Sequence, residues 1–167
     1  YEEALINYEK SLDIYKKSKN QKGQCATYRN IGAVYVSKGQ YPKALEYSLL
    51  SLKISEALQD KKSINLDFTS IGAIYHGMEE HEKALEYFLK ALKLAEEMGK
   101  ISGMETDLGN VGVAYKELKK FNEALDYFFK SIAIAEKLNK IKSILITSVN
   151  IGGVYDELKN YSKALEY

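Results

Sequence analysis

The sequence predicts an all-α fold, a solenoid of antiparallel helix pairs, and three observations predict it. A short string recurs at a fixed step: IGAVY at 31–35, IGAIY at 71–75, VGVAY at 111–115 and IGGVY at 151–155, 40 residues apart each time. A period of about 20 to 50 residues implies stacked supersecondary units that bury a common core. Within each unit the apolar residues keep helical spacing, and polar breaks return at the same places.

The first helix of a unit is placed roughly at 23–38, because Tyr28, Ile31 and Tyr35 lie at i, i+3 and i+7, as do Phe68, Ile71 and Tyr75 one period later. The break is Lys38-Gly39-Gln40, and Pro42, the only proline, opens the second helix where its missing N–H costs nothing. That helix, roughly 41–59, carries two stripes. Leu45, Leu52 and the small Ala44, Ser48 and Ser51 form one, and Tyr47, Ile54 and Leu58 the other. Two stripes need two neighbours: the partner helix and the next unit. Lys43, Glu46, Lys53 and Glu56 are left to solvent, and the Glu86/Lys90 and Asp126/Lys130 pairs have i, i+4 spacing. Between units the polar stretches 59–62, 99–101 and 139–142 end one helix, with Ser63, Ser102 and Ser143 as expected N-caps of the next and capping-box spacing from Ser102 to Glu105.

The same register runs throughout. Ala-Leu recurs at 4–5, 44–45, 84–85, 124–125 and 164–165, and Tyr47, Tyr87, Tyr127 and Tyr167 share a slot, with no insertion. The chain therefore reads as one array over 1–167: a lone second helix at 1–20, complete units at 23–62, 63–102 and 103–142, and an incomplete unit at 143–167. It opens in mid-pattern on Tyr1, so a longer parent chain is expected. Glycine inside a helix costs about 1 kcal/mol relative to alanine. Its return at Gly32, Gly72, Gly112 and Gly152 implies close approach to the second helix at Ala44, Ala84, Ala124 and Ala164.

Aliphatic-Gly-x-x-Tyr followed by alanine and an aromatic resembles the tetratricopeptide repeat, over the whole chain. Tyr28, Phe68, Leu108 and Ser148 stand in that pattern's tryptophan slot, and Tyr8, Ser48, Phe88 and Phe128 in its later phenylalanine slot. The departure is length. The usual unit has about 34 residues and often ends in proline, whereas these have 40, with Glu56, Glu96 and Glu136 where proline would fall, so the helices should be longer. Arrays of this length resemble those of polarity adaptors, kinesin light chains and bacterial signalling regulators. The resemblance implies a right-handed superhelix and recognition of a protein or peptide partner, without a cofactor.

Composition is consistent with that reading. Lys plus Arg (24) nearly balances Asp plus Glu (23), so the charge excess of a nucleic-acid binder is missing. No apolar run approaches the about 20 residues of a membrane helix. The single Cys25 forms no internal disulfide, which fits a reducing, cytoplasmic compartment. Catalytic strings of the GxGxxG, HExxH, GxSxG or P-loop kind do not occur, so the chain reads as non-enzymatic. His76 and His81 would need carboxylates from Glu79, Glu80 or Glu82 to hold a metal, and read as surface histidines; Cys25, with no histidine near it in sequence, reads as a half-buried thiol. Eight of the 14 tyrosines fill two repeating core slots, which explains them better than stacking on bases or sugars.

The residue before each aliphatic-Gly pair is polar: Asn30, Ser70, Asn110 and Asn150. The tetratricopeptide resemblance places first helices on the concave face, where in some members asparagines in this slot grip an extended peptide backbone. One amide both donates and accepts. Ala33, Ala73, Val113 and Gly153 would floor such a groove, and Arg29, Thr69, Gly109 and Val149 would wall it. Lys22 and Arg29 make one end positive, while Glu117, Asp156 and Glu157 make the other negative despite Lys116. The alternative is a small polar residue on an exposed helix face. Two further function classes stay open: an assembly scaffold that stacks head to tail through its ends, and a sensor region governing an effector domain.

Overall fold

In the computed structural model, which describes residues 1–99 and 101–167, the chain runs α1 (Glu2–Lys17), α2 (Gln21–Ser37), α3 (Tyr41–Ala57), α4 (Lys61–Gly77), α5 (His81–Glu97), α6 (Met104–Glu117), α7 (Phe121–Lys137), α8 (Ile141–Glu157) and α9 (Tyr161–Glu166). Among the described residues there is no strand. Two compact units form, Tyr1–Tyr87 and Phe88–Tyr167, with the boundary inside α5. In the first, α1 packs on α2, α2 on α3, and α3 on α4; in the second, α6 packs on α7, α7 on α8, and α8 on α9.

The sharp turns between helices have one recipe. The second residue after the helix takes positive φ, as at Lys19 (53°), Gly39 (69°), Gln59 (51°) and Asn139 (52°). The next amide then reaches back to close the helix, Asn20 N–H to the Tyr15 carbonyl and Gln40 N–H to the Tyr35 carbonyl, both at 2.9 Å. Together with the Lys19 to Lys16 bond at 3.1 Å this satisfies carbonyls the helix end would leave bare. Pro42 sits in the first turn of α3, as its fixed φ favours.

The caps correct the sequence reading. Asn20, Asp60 and Asn160 cap α2, α4 and α9 by accepting from the N–H groups of Gly23, Ser63 and Lys163 at 3.0, 3.3 and 3.3 Å. Ser63 is therefore the donor to the cap, three residues inside. Because the turn closes in three residues, the capping slot falls earlier than the serines. Lys140 precedes α8, so Ser143 lies inside it, and Gly103 (φ 100°) precedes α6. The Ser102–Glu105 box is replaced by a shorter loop in which Glu105 Oε2 accepts from Gly103 N–H at 2.9 Å.

The core follows the repeat. Ile31, Ile71, Val111 and Ile151 are buried with the glycines that follow them, opposite the buried Ala44, Ala84, Ala124 and the half-buried Ala164. The tyrosines of the same stripe are half-buried at Tyr35, Tyr75 and Tyr115 and form stacked pairs: Tyr35 on Tyr47, Tyr75 on Tyr87, Tyr115 on Tyr127 and Tyr155 on Tyr167, with centroids 5.5, 5.5, 5.4 and 6.0 Å apart. Lys43, Lys83 and Lys163 lie over Tyr35, Tyr75 and Tyr155 at 5.3, 5.3 and 5.0 Å. Rings that pair in this way gain about 0.5–1.5 kcal/mol beyond their buried area.

The glycines mark close approach, to the expected alanine at Gly32 and Gly152, and to the residue one turn further along at Gly32 and Gly112. A Cβ on Gly32 would lie 3.3 Å from the Ala44 carbonyl oxygen and 3.0 Å from Ser48 Oγ, and one on Gly152 would lie 3.3 Å from the Ala164 carbonyl oxygen. On Gly112 it would lie 2.6 Å from the Phe128 ring.

Candidate functional site

In the first unit, α2 presents Asn30 to solvent directly before the buried Ile31 and Gly32, because Asn30 occupies the next helical step off the core stripe. Ser70 holds the same place on α4, its hydroxyl donating to the Leu66 carbonyl at 2.8 Å and keeping its lone pairs outward. A cavity of about 490 Å³ gathers Arg29, Asn30 and Ala33 of α2 with Ser70 and Ala73 of α4, and its deeper surface includes Gly32, Val36, Ser48 and Ile74. Thr69 lies one step aside, its hydroxyl donating to the Asn65 carbonyl at 3.0 Å.

Arg29 has a second engagement that its slot does not announce. Its Nη1 donates to Asp67 Oδ1 at 3.1 Å and to the Ser63 carbonyl at 3.2 Å, which leaves the side chain 19% exposed. Asp67 is fully buried, with Ser51 and Ser55 hydroxyls donating to its two oxygens at 2.7 Å each. Burial pushes the Asp67 carboxyl above its ordinary range, and the two hydroxyls and the guanidinium pull it back only in part. The sequence signal was a carboxylate four residues before Ile71, on a stripe whose other members are apolar.

Cys25 belongs to this network and is fully buried rather than half-buried. It is 2% exposed, with Sγ 3.0 Å from Ser51 Oγ, and burial raises its thiol pKa, which suppresses the thiolate. His76 and His81 are half-buried with ring centroids 5.7 Å apart. Among the described residues no group of three or more His, Cys, Asp or Glu is placed to hold a metal.

In the second unit, Asn110 of α6 and Asn150 of α8 hold the corresponding slots, both half-buried. Among the described residues, neither their side-chain amides nor that of Asn30 makes a hydrogen bond within the chain. Val113 packs against the core cluster built on Phe128 and Val154. Lys116 lies 3.4 Å from Glu117, and together with Gly153, Asp156 and Glu157 they line a cavity of about 260 Å³. Gly153 and Val149 are exposed, whereas Gly109 is half-buried, 3.5 Å at its would-be Cβ from Ser131 Oγ.

This unit has its own buried carboxylate. Glu105 is 2% exposed; burial pushes its carboxyl up, but the Lys140 ammonium at 2.5 Å and the Gly103 N–H hold it below the ordinary range. Asp107, 5% exposed, is a further buried carboxylate of this unit.

Helix pairs of this kind, stacked at a 40-residue step, are matched by a family model of the tetratricopeptide repeat over residues 1–57, 23–97 and 63–137. The chain belongs to the tetratricopeptide repeat family. Its fold is accordingly the all-α tetratricopeptide solenoid. No curated protein matches the sequence. Among solved tetratricopeptide-like structures, apo RapI is similar at TM-score 0.84 and 22% identity, over 96% of this chain and 45% of that one. A Rap protein complexed with Competence and Sporulation Factor is similar at TM-score 0.78 and 21% identity, over 96% and 47%. A Podosopora anserina protein described as a kinesin light chain with nearly identical TPR-like repeats is similar at TM-score 0.78 and 16% identity, over 99% and 82%. The chain thus spans less than half of either Rap protein. Among the described residues no helix is long and apolar enough to cross a membrane.

Proposed function

We propose that this tetratricopeptide array is a non-enzymatic protein-interaction module that holds an extended peptide segment of its partner against the first-helix faces. Asn30 and Ser70 would act in the first unit, and Asn110 and Asn150 in the second. The observation that carries this reading is the state of the asparagine amides. Asparagine is a poor helix-interior residue, yet three of them stand at one slot in mid-helix with no hydrogen bond inside the chain among the described residues. An amide held there can donate to a peptide carbonyl and accept from a peptide N–H at once. The complex named for the Rap structure, with Competence and Sporulation Factor, gives a fold relative that carries a bound factor.

Replacing the half-buried Asn110 and Asn150 by alanine should leave thermal stability nearly unchanged, since among the described residues their amides make no hydrogen bond within the chain that would be lost, and alanine is the better helix former. Affinity for peptides selected from a displayed random library should fall at least tenfold. Two lost contacts of two hydrogen bonds each, at about 0.5–1.5 kcal/mol per bond, sum to about 2–6 kcal/mol, above the about 1.4 kcal/mol that makes one factor of ten. A double variant that unfolds while its folded fraction binds like wild type would make these asparagines structural.

A second reading, head-to-tail self-association, is favoured by the exposed apolar faces of the outer helices. Ile141, Leu145 and Val149 of α8 follow one another at i, i+4 and i+8 and are 70%, 62% and 71% exposed; α1 shows Ile6 and Ile14 at 51% and 63%. A non-closing contact between such faces propagates. Light scattering should then show mass rising with concentration, and a monomer from micromolar to millimolar removes this reading.

A further inference from the structure

The tetratricopeptide pattern's phenylalanine slot is filled differently in the two units. Phe128 is fully buried, its ring against Gly112, in a cluster with Val154 and with Val113 packed on it. Two periods earlier the same slots hold Ser48, Gly32, Ile74 and Ala33. Two of the three exchanges, serine for phenylalanine and alanine for valine, remove volume from the same place, more than isoleucine for valine adds. The 490 Å³ cavity of the first unit lies there, lined by these four residues with Val36 and Ala73. It falls within the about 300–1,000 Å³ of ligand clefts.

At its base Ser48 is 1% exposed, and among the described residues its hydroxyl makes no hydrogen bond within the chain. A hydroxyl so buried is costly if left without a partner when the cavity is covered. A ring that filled the space with bare carbon would strand it. A ring ending in a hydroxyl would meet it.

We propose that this cavity is a specificity pocket for a tyrosine side chain of the bound partner segment. This deepens, and rests on, the peptide-groove reading. The ring takes the volume that Phe128 fills in the other unit, between Ala33, Val36, Ala73 and Ile74, while the phenol hydroxyl pairs with Ser48. Asn30 and Ser70 at the mouth hold the backbone that delivers it. A site built to hydrogen-bond a ligand hydroxyl discriminates against the analogue lacking it, because the buried group is then unpaired.

The test uses p-cresol and toluene, the side-chain analogues of tyrosine and phenylalanine, titrated into the isotope-labelled chain with the amide signals of Gly32, Ser48 and Ile74 followed. p-Cresol should bind at least tenfold more tightly than toluene. Ser48→Phe, which restores the pattern residue, should abolish both perturbations, and Ser48→Ala should keep both ligands but erase the preference. Should Ser48→Phe not fold, the Ser48→Ala comparison decides alone. Perturbations that persist in folded Ser48→Phe, or a preference untouched by Ser48→Ala, overturn the pocket.

A displayed heptapeptide library separates the two readings. Peptides selected by wild type should be enriched in tyrosine and lose at least tenfold in affinity for Ser48→Phe. If peptides bind both forms alike with no tyrosine preference, the pocket falls and the groove stands. If p-cresol behaves as expected and no peptide is retained, the pocket stands and the groove falls.

Discussion

Arg29→Leu is expected to destabilise the protein by about 3–5 kcal/mol at pH 7, because it removes one partner of a buried ion pair and leaves the other charge uncompensated. Asp67 is fully buried and keeps the Ser51 and Ser55 hydroxyls and the weaker Cys25 thiol at 4.0 Å, none of them charged, once the guanidinium is gone. Leucine retains part of the packing of the arginine stem, so the loss reports mainly on charge. Burial already raises the folded-state pKa of Asp67, with Arg29 among the groups opposing the rise. Between the unfolded value and that raised value the folded state binds a proton that the unfolded state does not, so this residue's contribution to stability improves as pH falls through the window. Without Arg29 the window extends upward. The variant's deficit should therefore shrink between pH 7 and about pH 5, a range read against the ordinary carboxylate pKa near 4.

Asp60 and Glu105 run the opposite way. Their folded pKa values are lowered, Asp60 chiefly by the Ser63 N–H, so their stabilisation is lost as pH falls through those lower values. They are common to both proteins and cancel in the comparison. Arg29→Leu with Asp67→Leu should recover most of the loss, since a whole buried pair exchanged for apolar groups is often neutral. The serines keep other acceptors, Ser51 the Cys25 carbonyl at 3.1 Å and Ser55 the Leu52 carbonyl at 2.9 Å. Urea midpoints at the two pH values check this. A deficit below about 1 kcal/mol, or one that does not change with pH, would mean that solvent or the serines already satisfy Asp67.

Repetition made the fold legible, because each helix was seen four times in different side chains and only the packing slots persisted. The Tyr35 and Tyr47 slots were read as core positions, and they are the stacked pairs. What the period hid were departures within a slot. Cys25, Ser51, Ser55 and Asp67 each look ordinary alone, and they become a network only when three helices bring them within hydrogen-bond distance. Arg29 was placed on the groove wall from its position, and it does line the cavity, but its strongest partner lies 38 residues away on α4. The caps were missed because the serine signal, three residues inside, also fits a capping pattern. Ser48 stood in a phenylalanine slot in plain view, and what its small side chain leaves open depends on Gly32, Ala33 and Ile74 lying opposite it.

Gly112→Leu should lower stability by about 1–3 kcal/mol, the usual cost of overpacking, whereas Gly153→Ala should raise it by about 1 kcal/mol, the helix-propensity gain of alanine over glycine. The two glycines share a helical backbone setting and differ in what faces them. A Cβ at Gly112 would meet the Phe128 ring at 2.6 Å, and that ring has no room to withdraw because it is fully buried among Ala124, Ile151 and Val154. A Cβ at Gly153 would find nothing within 4 Å. Removing the opposing ring should couple the sites: in a Phe128→Ser background, which copies the Gly32–Ser48 arrangement, Gly112→Leu should cost at least about 0.5 kcal/mol less than it does alone. Denaturant midpoints with unchanged slopes give all four values. Equal effects at Gly112 and Gly153 would mean that the glycines of the repeat answer to backbone preference alone, and that the close approach of α6 and α7 places no demand on the side chain at Gly112.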